Sequence, residues 1–227
     1  MKVFPPILIA MFFSVTLLAQ PAWEAGVFVG ASNYTGDFTV ATTPRIDKTN
    51  IALGLVGRSH INSNFALRIN LTITQMEGQD SDFARRATRG YSFVTNYFEL
   101  VPAIEWEPFG GKRFYTDAEG IQSSENIISP YLYLGGGLSF SEVDIDFNGD
   151  NSADVFRDSR NGSTNTFFTI PFGGGLKFDF IEQVALGAEL TARYTFSDYI
   201  DGLSEAGNPS NNDWIWLLGF NISYRFY

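Results

Sequence analysis

From Asp213 to Tyr227 the chain reads DWIWLLGFNISYRFY, and every second residue is apolar or aromatic. Trp214, Trp216, Leu218, Phe220, Ile222, Tyr224 and Phe226 form one set, while Gly219, Asn221, Ser223 and Arg225 belong to the other. Side chains alternate faces along a strand, so this segment carries one continuous apolar stripe and one mostly polar face. Aromatic residues stand at both ends of the stripe, where amphipathic rings settle at a membrane–water interface. A soluble sheet buries such a stripe against a second layer, and a membrane barrel buries it in lipid. The other strands decide between the two.

Seven further stretches alternate in the same way, over 23–31, 49–61, 65–75, 93–106, 130–140, 166–180 and 184–196. In the third, Phe65, Leu67, Ile69, Leu71 and Ile73 oppose Asn64, Arg68, Asn70, Thr72 and Thr74. Pro102 falls on the apolar face of the fourth and predicts a bulge or local kink there. Eight strands make an even number, each long enough to cross a bilayer at a tilt of about 45°. Long connections follow the first, third, fifth and seventh strands, and short turns follow the second and sixth. Outer-membrane barrels have that pattern, with long loops outside and short turns in the periplasm. The exception is the long connector Phe109–Ser129 after the fourth strand.

The polar faces carry Arg58, Arg68, Glu99, Glu105, Lys177, Asp179, Glu189, Arg193 and Arg225. A soluble sandwich would not bury these charges and leave its aromatics outside. The expected fold is therefore all-β: an eight-stranded antiparallel up-and-down transmembrane barrel of the outer-membrane type. Trp23, Trp106, Trp214, Trp216, Tyr224 and Phe226 form its expected aromatic girdle. Such a barrel is just wide enough for inward side chains to fill it, so the charges pair and plug it, and a diffusion pore is not expected.

Export is consistent with this fold. Lys2, the apolar run Val3–Leu18 and Ala19-Gln20 read as a signal peptide over 1–19, leaving 20–227 as the barrel. A retained membrane helix is the alternative, but the run is short and no stop-transfer charges follow. The expected location is the outer membrane of a Gram-negative cell, in contact with its lipid. The chain has no cysteine, hence neither disulfides nor a lipoprotein anchor residue. Its formal charge is −10, and loss of Lys2 with the signal leaves 14 basic against 25 acidic residues, or −11. That balance argues against nucleic acid as a partner.

Little in the sequence offers catalytic chemistry, and neither enzyme activity nor a cofactor is expected. His60 is the single histidine, and alternation sends it and Ser59 to opposite faces. A serine–histidine hydrolase would need them together, so His60 reads as an inward, hydrogen-bonded residue near the periplasmic end. Asp144, Asp146, Asn148, Gly149 and Asp150 resemble the first half of a calcium-binding EF-hand loop. Val155 stands where the bidentate glutamate belongs, so the reading is a solvated acidic loop over Ser141–Asn165, with a weak calcium site as the alternative. Arg85, Arg86 and Arg89 form a small basic cluster that reads as solvated loop, or as a contact for lipopolysaccharide phosphates.

Several stretches resemble one family. WEAGVFVGASNYTGDF (Trp23–Phe38) is similar to the opening of the PorG-like barrels of the Bacteroidota type IX secretion system. ALGLVGRSHINSNFALRINLT (Ala52–Thr72), NYFELVPAIEWEPF (Asn96–Phe109) and SPYLYLGGGLSF (Ser129–Phe140) fit its middle strands. In GAELTARYTFSDYIDGLS (Gly187–Ser204), Glu189, Arg193, Thr195, Phe196, Asp198, Tyr199 and Asp201 fall where the family has them. The resemblance implies a non-enzymatic outer-membrane component that supports protein secretion through periplasmic secretion-ring proteins. The connector, with Lys112, Arg113, Phe114 and Tyr115, is the candidate contact for such partners. Glu189 and Arg193, both inward, read as an interior pair. The rival is a small surface barrel whose outer loops bind lipopolysaccharide or other ligands, with no secretion role.

Overall fold

The computed structural model describes residues 23–36, 48–80, 90–113, 115–116, 122–123, 128–147, 162–181, 183–202 and 213–226. In chain order these hold β1 (Trp23–Thr35), β2 (Asn50–His60), β3 (Phe65–Gln79), β4 (Tyr91–Trp106), the single helical turn α1 (Gly110–Arg113), β5 (Tyr115–Thr116), β6 (Gln122–Ser123), β7 (Ile128–Gly135), β8 (Gly137–Phe147), β9 (Thr164–Ile181), β10 (Val184–Thr195) and β11 (Trp214–Phe226). β5 and β6 pair only with each other; the remaining strands form one antiparallel sheet.

That sheet closes on itself. β4 pairs with both β7 and β8, both pair in turn with β9, and β9 pairs with β10. β10 pairs with β11, and β11 returns to β1 along its whole length, from Trp23↔Phe226 to Thr35↔Trp214. Counting β7 and β8 as halves of one strand gives a ring of eight with no free edge, which leaves no unpaired ladder facing lipid. The expected fold is the observed one.

The break at Gly136 has a local cause. Continued across the gap, the register sets Gly136 opposite Pro102 of β4, and Gly135 opposite Pro171 of β9. Proline has no N–H to give, so each side of this strand loses a ladder bond at the same level. Gly136 N still donates to Pro102 O at 3.1 Å. The bulge or kink expected at Pro102 is absent, because β3 and β4 stay in register from Phe65↔Trp106 to Gln79↔Ser92. Pro102 points outward, and its effect falls on the partner strand.

Strands also run further than the expected boundaries at the long-loop end. β1 continues to Thr35, β3 to Gln79, β4 starts at Tyr91, and β8 reaches Phe147. Asp144 and Asp146 thus lie on β8 with outward-facing side chains, not in a loop; Asn148, Gly149, Asp150 and Val155 lie outside the described residues, as do Arg85, Arg86 and Arg89. At the other end the connector is shorter than expected, since β7 begins at Ile128.

Facing inward and outward follow the pleat. Val27, Leu55, Ile69, Leu100, Leu134, Leu176, Leu190 and Phe220 are exposed on the outside, whereas Glu99, Glu105, Arg58 and Lys177 are buried within. Gly30 and Gly219 are register partners on the inner face, and the Phe28 ring lies over both. A Cβ on Gly30 would sit 2.5 Å from Leu218 O and 2.6 Å from Phe28 Cζ. The first neighbour is backbone, so neither strand yields cheaply. Gly30→Val is expected to cost about 1–3 kcal/mol by overpacking, measured as the denaturant midpoint of the barrel refolded in lipid vesicles.

Candidate functional site: a charged interior and its two ends

The short-turn end is fixed by side chains of the turn itself. Asn62 Oδ1 accepts from Asn64 N at 2.8 Å and Phe65 N at 2.9 Å, closing an Asx turn between β2 and β3. Asn64 Nδ2 then donates to Glu107 O at 2.9 Å and Pro108 O at 3.1 Å, and Glu107 N donates to Asn64 O at 2.8 Å. A Cβ on Gly110 would fall 1.6 Å from Ser63 O, so only glycine lets α1 seat against this turn. The connector thus leaves the barrel in a set direction. Lys112 and Arg113 are in α1, Tyr115 opens β5, and Phe114 lies outside the described residues.

Above this turn the interior is a stack of ion pairs. Glu24 Oε2 accepts from Arg58 Nη1 at 3.3 Å, and its Oε1 lies 3.2 Å from both Arg225 Nε and His60 Nε2. Arg225 Nη2 also reaches Asp179 at 3.2 Å. Glu105 is the hub of the next level. Its Oε2 accepts from Arg58 Nε at 3.0 Å and Arg68 Nη1 at 3.2 Å, while its Oε1 takes Lys177 Nζ, which also binds Glu107 at 2.8 Å.

One step higher, Glu189 Oε2 accepts from Arg68 Nη2 at 2.7 Å and from the Tyr131 hydroxyl at 2.6 Å. The Arg68 guanidinium lies 4.1 Å from the centre of the Tyr133 ring, within cation–π range. Arg193 grips both oxygens of Glu99, Nε donating to Oε2 at 2.9 Å and Nη2 to Oε1 at 2.6 Å, the fork geometry that suits guanidinium and carboxylate. Glu189 and Arg193 therefore do not pair with each other. Four residues of strand span roughly 13 Å, and each finds its partner across the barrel.

At the long-loop end the polar stack gives way to packed rings. Tyr34, Tyr91, Phe93, Tyr97, Val143, Ile200 and Ile215 form a buried cluster. Ile200 belongs to the segment after β10, which turns into the barrel mouth: Thr95 Oγ1 donates to Ile200 O at 2.5 Å, and Ile200 N donates to Asp213 Oδ2 at 3.2 Å. The Tyr34 hydroxyl lies 2.8 Å from Asp201 Oδ2 and 2.6 Å from Asp213 Oδ1. Between the ion stack and the rings, a void beside Asn70, Glu189 and Arg193 leaves about 10 Å³. That is the space of one water, and Asn70 Nδ2 is a buried donor there with no protein partner.

The girdle residues fall at both ends of the apolar band. Trp23 pairs with Phe226 and Phe65 with Trp106 at the short-turn rim, where the Tyr224 and Phe226 rings are 4.9 Å apart. Trp214 and Trp216 stand at the opposite rim; Trp214 packs 5.2 Å from Tyr194, and Trp216 Nε1 donates to Thr35 Oγ1 at 3.2 Å.

Sequence reasoning missed several members. Glu24 follows from the same alternation that placed Arg58, yet it stands only one residue from the strand's start. Glu107 lies just past the end of β4, and Tyr34 and Asp201 lie where loops were expected, so no periodicity marks them; Asp213 opens the terminal stretch, one residue before its apolar stripe begins. Paired at each level, these inward side chains fill the barrel and lock it, and His60 is held against Glu24 within it. In a planar bilayer the purified chain is expected to give no steady open conductance level, and a stable ohmic step would overturn the sealed interior.

The family described as Domain of unknown function (DUF6089) matches residues 2–227. No curated protein matches the sequence. Among solved structures, the attachment invasion locus protein Ail of Yersinia pestis, in complex with the heparin analogue sucrose octasulfate, is 12% identical with a TM-score of 0.49, over 92% of this chain and 100% of that one. Neisserial surface protein A is 12% identical at 0.48, over 91% and 100%. A major outer membrane protein of Thermus thermophilus is 13% identical at 0.48, over 90% and 99%.

Proposed function

The chain belongs to the family described as Domain of unknown function (DUF6089), and from its sealed barrel we propose a non-enzymatic, structural component of the outer membrane that anchors periplasmic proteins of a type IX secretion apparatus. One observation carries the structural part: charges are paired at successive levels from Glu24 to Glu99, with packed rings above. A barrel filled in this way has only its rims and outer wall with which to act. By the rule that short turns face the periplasm, the latched connector after β4 lies on the periplasmic side. Its fixed exit, through Asn64, Glu107 and Gly110, supports the reading of a platform for partners. The secretion part is supported by the resemblance of Trp23–Phe38 and Gly187–Ser204 to PorG-like barrels.

The test is a crosslinked pull-down from the native outer membrane, comparing wild type with a variant whose residues 114–127 are replaced by a short Gly-Ser linker. The replacement spares the Glu107–Gly110 latch and β7. Secretion-ring subunits recovered with wild type and lost with the variant are the expected result. Normal secretion in a strain lacking the protein, with no such subunits recovered, would sink the proposal and favour a surface barrel acting through its outer loops.

A further inference from the structure

Outside the barrel, where the apolar band meets the long-loop end, the wall of β2, β3, β4 and β8 carries a groove of about 590 Å³. That volume lies within the roughly 300–1,000 Å³ of small-molecule sites. Its two halves differ in chemistry. The half nearer the membrane centre is lined by Leu53, Ile73, Phe98 and Phe140, all exposed, with the two phenyl rings 5.9 Å apart. The outer half is lined by Gln75, Asn96 and Glu142. These three are outward-facing neighbours across three strands: Gln75 is the register partner of Asn96, and Asn96 of Glu142.

We propose that this groove holds one membrane lipid whose headgroup carries a protonated amine. Position decides that the ligand is a lipid, since the groove straddles the boundary between apolar band and polar wall. An acyl chain would lie on Phe98 and Phe140, with its headgroup at the level of Gln75 and Glu142. Charge decides the headgroup. Glu142 lines the groove itself, and among the described residues the adjoining concavity is lined by Glu77, Asp144 and Asp146 against Lys48 alone. A phosphate or sulfate without a compensating cation is repelled there, and an ammonium is attracted.

Hydrogen-bond capacity fits as well. Gln75 Nε2 donates to Asn96 Oδ1 at 2.8 Å, which leaves Gln75 Oε1 as an acceptor on the far side of Asn96 from the Glu142 carboxylate. Glu142 and Thr164 are register partners at the rim, so a carboxylate and a hydroxyl stand side by side as acceptors for the N–H donors of an ammonium. This site is independent of any secretion role.

The full chain in mixed micelles would be offered equal amounts of phosphatidylethanolamine, phosphatidylcholine and phosphatidylglycerol with identical acyl chains. Native mass spectrometry would count the retained lipid. The expected result is one phosphatidylethanolamine retained about tenfold or more over either competitor, the scale of a charge-assisted hydrogen bond. Glu142→Gln, at an exposed position and of equal size, should remove that preference while heat-modifiable gel mobility shows the barrel still folded. Equal retention of the three lipids, or a preference unchanged in Glu142→Gln, overturns the proposal. Phosphatidylcholine retained as well as phosphatidylethanolamine overturns it too, because that headgroup has the charge but no N–H.

Discussion

Glu105→Ala should lower the unfolding free energy of the barrel by about 3–5 kcal/mol, the cost of leaving buried charge without its partner. Glu105 is 1% exposed and receives Arg58, Arg68 and Lys177 from three different strands. Removing its carboxylate leaves three cations facing one another in a space that excludes bulk water. Arg58 and Arg68 keep Glu24 and Glu189, so the loss is partial and the fold survives. Urea titration in lipid vesicles, followed by tryptophan fluorescence, measures the effect. A change below about 1 kcal/mol would place the pair in the range of solvated surface bridges and mean that water reaches the stack.

Ile69→Arg is expected to cost about 2–4 kcal/mol, because a charge at the midplane of a lipid-facing barrel wall is stripped of water. Ile69 is 49% exposed on the outside of β3, between the rim pair Phe65–Trp106 and the far end of the band at Ile73–Phe98. Glu77→Arg, two pairs beyond the band on the same face, should change stability by about 0–1 kcal/mol. Measured side by side in vesicles, the two separate a lipid-buried wall from a water-exposed one. On a soluble sheet an exposed isoleucine replaced by arginine stays within about 0.5 kcal/mol, so equal small effects would contradict a membrane-spanning wall.

The wall was the legible part of this protein. Period-two alternation assigns Ile69 and Phe98 to one face and Arg68 and Glu99 to the other, and closure follows once all eight strands carry a stripe that water cannot cover. The same pattern marked Arg58, Arg68, Glu99, Glu105, Glu189, Arg193 and Arg225 as inward. It was silent wherever a residue lies outside a periodic run. Glu107 enters the ion stack from beyond the end of β4, and Ile200 closes the mouth from what reads as a polar loop. Strand ends were misjudged for a related reason. Above the band the outer face turns acidic at Glu77, Glu142 and Asp144, so hydrophobic contrast fades although the ladder continues.

The sequence by itself determined the strands, their two faces and the barrel class, because each depends on neighbours two residues apart along the chain. Partners inside the barrel were decided by tertiary structure alone. Glu189 meets Arg68 and not Arg193, Glu105 gathers three cations from separate strands, and Pro102 with Pro171 splits the strand between them. Each of these is a contact between residues distant in the chain, set by the register and curvature of the closed sheet. Alternation specifies which face a charge occupies. Only the closed ring specifies what it touches there.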